Sequence, residues 1–265
     1  MIRLIATDLD GTLLDDQHQL PADFEELWNL LHAHNIILLA ATGRDYNGAA
    51  GFFGPLAEKM TFITDNGANI YHQGKVIRQH HIPRDRVHAM LDEIEKIENA
   101  DPMLCGTKGT YVTQGCPAFM KKMASHYSPV TWVEDLYSIE DDIFKVSVYD
   151  ATGDIRNHSY LRLAEQFAEE NTVHISANVW VDMMDKRADK GLALQYLQEL
   201  FGIRYEETMA FGDFYNDEPL LKHANYAFVM ENAPEDLKEK YKNHAPSNRE
   251  AGVTKIIREW VTDRL

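Results

Sequence analysis

The strongest constraint in this chain is a pair of carboxylates set directly behind a short apolar run. Ile2-Arg3-Leu4-Ile5-Ala6-Thr7 is mostly apolar and stops at Asp8-Leu9-Asp10-Gly11-Thr12. Such a run reads as a buried strand closed by a turn. Residues i and i+2 of an extended backbone project to the same side, so Asp8 and Asp10 converge and repel each other. A cation or a raised pKa relieves that repulsion. A hard divalent ion with oxygen ligands meets the need, and magnesium is the usual one beside phosphate. Gly11 lets the backbone turn sharply, and the Thr12 hydroxyl can pin the turn. Taken alone, the segment also fits a plain Asp-Gly turn. A calcium loop is excluded, because the sixth position counted from Asp8 requires glycine and holds Leu13.

The pattern of apolar run and polar stop repeats. Pro21 opens a helical stretch with Phe24, Leu27, Trp28 and Leu31 on one face. Ile36 to Ala41 is a second buried strand, broken by Thr42-Gly43-Arg44, and Thr61 to Thr64 a third, ending at Asp65-Asn66-Gly67. Strands alternating with helices predict an α/β fold with a doubly wound, Rossmann-like parallel sheet, whose ligands bind beyond the carboxyl ends of the strands. The texture changes near Ile82-Pro83. An amphipathic helix from Arg84 to Glu98 leads into short alternating segments, a strand at Phe144 to Tyr149, a helix near Asn157 to Glu170 and two more strands. Residues 83–186 therefore read as an inserted α+β domain, with residues 1–82 and 187–265 forming the core. From Gly191 the βα rhythm returns.

Composition restricts the partners. The 265 residues are 45% hydrophobic and 26% charged, with a net charge of −16. This acidity argues against nucleic acid or an anionic membrane as partner. It also means that a site for an anion must be built from local cations, backbone N–H groups or a metal. Cys105 and Cys116 make neither a disulfide framework nor a metal pattern. The N-terminal residues lack the apolar stretch of a leader, and no run approaches the ~18 residues of a membrane span, so a cytoplasmic protein is expected. The oligomeric state is not written in the sequence. The histidines show no ligand spacing with a carboxylate, and the acidic run from Glu134 to Asp142 reads as a solvated loop.

Three further segments join the first. Thr42-Gly43-Arg44 ends a strand where a hydroxyl and free N–H groups can hold a phosphoryl group. Lys190-Gly191 precedes the helix that resumes the core. Gly212-Asp213-Phe214-Tyr215-Asn216-Asp217 follows the strand Thr208 to Phe211, with Asp213 and Asp217 spaced to share a helical face. Each has a duller reading: a helix cap for Thr42, a surface cation for Lys190, a capping cluster for the two aspartates. Their common place at strand ends favours one site.

Together these segments resemble the haloacid dehalogenase-like hydrolases, in particular the Cof-type branch with an inserted α/β cap. Asp65-Asn66-Gly67-Ala68, Val229 to Ala233 and Ser247-Asn248 … Gly252-Val253 extend the likeness over nearly the whole chain. The resemblance implies a magnesium-dependent phosphatase for small phosphorylated metabolites, closest in look to sugar-phosphate and flavin mononucleotide phosphatases. It implies Asp8 as nucleophile and Asp10 as acid and base. Magnesium would sit on the Asp8 carboxylate, the Asp10 carbonyl and Asp213. Thr42, Gly43, Lys190 and Asn216 would hold the phosphoryl group, with Asp217 orienting Lys190 or a metal-bound water. Lys186 is a substitute for Lys190 in the cation-rich stretch Asp185 to Lys190. The cap would choose the substrate, with Lys108, Trp180, Asp182 and Met183 as lining candidates, joined by Arg44 and Tyr46 from the core. A phosphomutase, or a module that binds a phosphometabolite without turnover, remains as an alternative.

Overall fold

Six parallel strands form the spine of the larger unit, in the spatial order Asn243–Ala245, Tyr226–Met230, Thr208–Gly212, Leu4–Thr7, Ile37–Ala41 and Thr61–Thr64. The computed structural model describes residues 1–126, 130–176 and 179–261. The chain divides into two units, Met1–Arg78 with Ala188–Leu265, and Gln79–Arg187.

The first strand lies at the middle of the larger sheet, with Leu4 opposite Ile37 on one side and Thr208 on the other. Its side chains alternate between two apolar layers. Ile5, with Met209 and Phe62, packs under the helices Phe24–Ala33 and Gly252–Trp260. Leu4 and Ala6, with Leu39, Ile63 and Ala210, pack under Lys190–Phe201 and Glu218–Lys222. Both faces of the sheet are covered, which is why these strands are apolar almost without interruption. The fold is the doubly wound α/β core expected.

An antiparallel hairpin, Asn69–His72 and Lys75–Gln79, extends the sheet beyond Thr61–Thr64. The βα rhythm of the sequence does not announce it. Its signal is Gln73-Gly74, both at positive φ (51° and 72°), the geometry that joins two strands through a two-residue turn.

The smaller unit is a six-stranded sheet in the order Asn171–Ile175, Trp180–Asp185, Ile143–Asp150, Ala100–Gly106, Thr110–Val112 and Val130–Trp132. Its neighbours are antiparallel except for the last pair. The helices Arg84–Ile94 and Leu161–Phe167 cover one face, over Leu104, Val146, Val148, Val181 and Met183. The helix Pro117–His126, also unanticipated, brings Phe119 against Tyr149 and Trp180. This unit begins before residue 83 because Ile82 belongs to its apolar layer, and the Ile82 N–H donates to Ile143 O at 2.7 Å.

Gly67 fixes how the third strand end meets the Lys190 helix. It has φ +102°, and a β-carbon there would collide with the backbone of Asp189. Gly67→Ala is expected to destabilise the protein by about 2 kcal/mol or more, through both the strained φ and the collision. Equilibrium denaturant unfolding measures this, and an unchanged midpoint would contradict it.

Candidate active site

The site is assembled where the parallel strands end. Asp8 directly follows the central strand, and its N–H donates to Phe211 O at 3.1 Å, which ties it to the neighbouring strand end. Lys190 opens a helix whose preceding residue, Asp189, caps it by accepting from Leu192 N–H at 2.8 Å. That cap aims the lysine inward. Its ammonium is fully buried and donates to Asp8 Oδ1 at 2.7 Å and to Asp217 Oδ1 at 2.6 Å. The other oxygen of Asp217 accepts from the N–H groups of Asp213 and Phe214, each at 3.1 Å. Asp217 therefore folds the loop that carries Asp213 while it holds Lys190.

Asp213 is fixed from the opposite side. Thr12 Oγ1 donates to Asp213 Oδ1 at 2.8 Å. Gly11, at φ +82°, passes so close that a β-carbon would run into the Asp213 carboxylate. The Gly11 of the first motif thus serves a close approach as well as a turn. Oxygens of Asp8, Asp213 and Asp217 all lie within 4.8 Å of one another.

The electrostatics follow from this crowding. Burial, then the neighbouring Asp217, push the Asp8 carboxyl well above its usual range, and Lys190 pulls only partly against them. Asp213 is pushed up to about 6, again by burial first and Asp217 second, with the Thr12 hydrogen bond opposing. Burial pulls the Lys190 ammonium down, but Asp217 and Asp8 outweigh it and leave it raised and charged. Three carboxylates therefore crowd a poorly solvated place in which one ammonium pairs with two of them. A hard divalent cation fits this all-oxygen donor set and its excess negative charge.

Asp10 is placed differently. Its side chain is 40% exposed and forms a bidentate pair with Arg44, whose Nε and Nη2 lie 2.6 and 2.7 Å from the two oxygens. His18 Nδ1 lies 3.2 Å from Asp10 Oδ1. The Asp10 carboxylate thus lies outside the cluster of Asp8, Asp213 and Asp217. Thr42 is buried, and its N–H donates to Ile63 O at 2.8 Å. Its hydroxyl accepts from the N–H of Arg44 at 3.1 Å. Gly43 lies against the Asn66 side chain, whose oxygen accepts from Asn216 Nδ2 at 3.2 Å. Asn232 and Asn248, not singled out as site residues from sequence, hold the first loop from outside. Asn232 Nδ2 donates to Gly11 O at 2.8 Å, and Asn248 Nδ2 to Leu14 O at 2.9 Å.

The remaining candidates have other company. Tyr46 stacks on Tyr71 with centroids 4.1 Å apart and packs against the core. Met183 is fully buried in the apolar layer beneath the helices of the smaller unit, and Trp180 is wedged edge-on between Phe119 and Tyr149. Met183 is thus a packing residue, a correction to its expected place along a cleft, while Trp180, on the other face of the same strand, packs in an aromatic cluster. Asp182, also buried, accepts from Ser147 Oγ at 2.5 Å and Ser176 Oγ at 2.7 Å. Lys108 donates through Nζ to Glu140 O at 2.7 Å, and Lys186 Nζ donates to Glu169 O at 2.6 Å. Lys186 therefore does not substitute for Lys190. Among the described residues no helix is long and apolar enough to cross a membrane.

The chain is similar to known proteins over nearly its whole length. The chain is 27% identical over 258 residues to 5-amino-6-(5-phospho-D-ribitylamino)uracil phosphatase YbjI of Escherichia coli, covering 97% of this chain and 95% of that protein. It is likewise 27% identical over 261 residues to 5-amino-6-(5-phospho-D-ribitylamino)uracil phosphatase YcsE of Bacillus subtilis, covering 98% and 96%. The crystal structure of SMU.1108c from Streptococcus mutans superposes with a TM-score of 0.90 at 26% identity, over 99% of this chain and 100% of that one. The sequence profile that matches here, over residues 5–257, is that of the haloacid dehalogenase-like hydrolases, and the chain belongs to that family.

Proposed function

We propose that this enzyme hydrolyses small phosphate monoesters through an aspartyl-phosphate on Asp8. The observation that carries the reading is the buried Lys190 ammonium, which joins Asp8 to Asp217 beside Asp213 at adjoining strand ends. An ion pair of this kind leaves the second Asp8 oxygen for attack on phosphorus. Phosphoryl transfer asks the protein chiefly for positioning and for charge to offset the equatorial oxygens.

In the first half-reaction an Asp8 oxygen bonds to phosphorus while the bond from phosphorus to the leaving oxygen breaks. Asp10, in its protonated form, gives its proton to that oxygen. In the second half Asp10 takes a proton from water, which attacks the phosphorus, releases inorganic phosphate and returns Asp8 as a carboxylate. Lys190, the Thr42 hydroxyl, the Gly43 N–H and Asn216 hold the phosphoryl oxygens. Asp217 keeps Lys190 charged and in place. Asp8 and Asp213 are the side chains that would hold magnesium, with the Asp10 carbonyl. The bound ion would add Lewis-acid charge next to the phosphoryl group.

The substrate is a small phosphorylated metabolite, of the sugar-phosphate or flavin mononucleotide kind, whose alcohol is the leaving group, and the smaller unit acts as the cap that chooses it. Two relatives support this class, since their names specify a phosphate on a D-ribitylamino chain attached to uracil. Phosphate release from p-nitrophenyl phosphate, sugar phosphates, flavin mononucleotide and the ribitylamino-uracil phosphate ranks the substrates by kcat/KM. Asp8→Asn should abolish turnover of all of them, by ~10³-fold or more. Retention of a tenth of the activity would remove Asp8 as nucleophile.

Metal binding should depend on pH. Asp213 has a folded-state pKa of about 6, above its ordinary 3.8. In the metal-free protein, its contribution to stability is therefore fully present below about pH 4 and lost as pH rises through about 6. Magnesium, which needs the ionised form, should raise the melting temperature more at pH 7.5 than at pH 5. Asp213→Asn should lose most of that shift. Equal shifts at both pH values, by calorimetry, would contradict the assignment.

A further inference from the structure

We propose that Arg44 is the positioning residue that aims the Asp10 carboxylate, so that it governs proton transfer to the leaving group and not the binding of phosphate. The inference rests on Asp10 being the acid and base of the reaction, as set out above.

Asp10 lies on the turn after the central strand and is 40% exposed on its side chain. It is held at both oxygens by one residue, Arg44, at 2.6 and 2.7 Å. A bidentate guanidinium pair fixes the plane of the ionised carboxylate as well as its place, which a single contact cannot do. When Asp10 carries the proton for the leaving oxygen, the oxygen bearing it gives up its guanidinium contact and the other keeps its own, so the carboxyl group stays aimed. Arg44 is itself held at its own strand end. Its N–H donates to Thr42 Oγ1 at 3.1 Å, and its carbonyl accepts from the Asp65 N–H at 2.9 Å. Its guanidinium lies over the Phe52 ring, 5.0 Å from the centroid. A cation held over a ring at this distance gains a further attraction that favours one placement of the side chain. The second strand end therefore orients the carboxylate carried by the first.

The chemistry gives this contact a specific consequence. The bond from phosphorus to an aliphatic alcohol breaks only if the departing oxygen receives a proton. A nitrophenolate departs without one. An arginine that works through Asp10 matters for the first ester and little for the second. An arginine that holds the phosphoryl group matters equally for both.

The test compares kcat/KM for glycerol phosphate and for p-nitrophenyl phosphate in the wild type, Arg44→Ala, Arg44→Lys, Asp10→Asn and the double variant. This constant reports the steps up to departure of the leaving group. Arg44→Ala should lower it ~100-fold for glycerol phosphate, in the range of general acid catalysis, and less than about fivefold for the nitrophenyl ester. Arg44→Lys, which keeps the charge without the fork, should fall between wild type and Arg44→Ala on glycerol phosphate. In the Asp10→Asn background, Arg44→Ala should add less than about threefold, because residues that act as a unit are not additive. Equal losses on both esters, or full additivity with Asp10→Asn, would overturn the proposal. The phosphatase reading is judged apart from this. Wild-type phosphate release that depends on Asp8 stands or falls whatever Arg44 does, and unchanged circular dichroism of the Arg44 variants excludes misfolding.

Discussion

The buried ammonium of Lys190 is the contact on which the rest of this site depends. It lies between Asp8, at the end of the central strand, and Asp217, in the loop after the neighbouring strand. Asp217 accepts from two N–H groups of the loop bearing Asp213, while Asp8 is bound through its own N–H to the strand that leads into that loop. Loss of one partner of such a buried set leaves uncompensated charge, at a cost of about 3–5 kcal/mol. The lysine therefore belongs to the folding of the strand ends as much as to any ligand they receive. The helix that carries it is tied in turn. Gly191 allows that helix to lie against the Pro219 carbonyl, where a β-carbon would not fit.

This arrangement reconciles a chain of net charge −16 with an anionic substrate. The general field repels phosphate, so attraction must act at short range, where the poorly solvated strand ends weaken screening. Lys190 supplies one positive charge, and the cluster of Asp8, Asp213 and Asp217 invites another in the form of a divalent ion. The acidic residues that seem wrong for an anion site are thus the means of concentrating positive charge in it.

Much of this was legible in the sequence for a simple reason. Asp8, Thr42 and Asp213 each follow an apolar run, and Lys190 precedes one, so a parallel sheet collects them at one edge whatever the details of packing. What escaped was of three kinds. The hairpin at Asn69–His72 and Lys75–Gln79 is signalled only by Gln73-Gly74, and an antiparallel addition does not disturb the βα rhythm. A place along a cleft and a place in the packing compete for Trp180 and Met183, and a strand sequence alone does not show which of its two faces the helices cover. Here Met183 lies under the helices, and Phe119, on a helix not foreseen, packs beside Trp180. The pairing of Arg44 with Asp10 joins residues 34 apart through side-chain atoms alone, and no periodicity reports it.

The first motif also shows how one turn yields two different carboxylates. Asp8 and Asp10 are separated by a single residue, yet Asp8 is 6% exposed beside a lysine whereas the Asp10 side chain is 40% exposed beside an arginine. The two carboxylates meet different partners, Lys190 for Asp8 and Arg44 for Asp10, and Gly11 at positive φ with the Asn232 contact to its carbonyl holds the turn just after them. In the proposed mechanism the nucleophile must stay ionised and aimed, and its neighbour must exchange a proton with the leaving group and with water. The Lys190 contact, with a divalent cation to offset the crowded carboxylates, suits the first task against the effect of burial, and a carboxylate in reach of solvent suits the second. Environment separates the two roles, and the environment of each is set by a loop distant in the chain: the Lys190 helix for Asp8, and the end of the Ile37–Ala41 strand for Asp10.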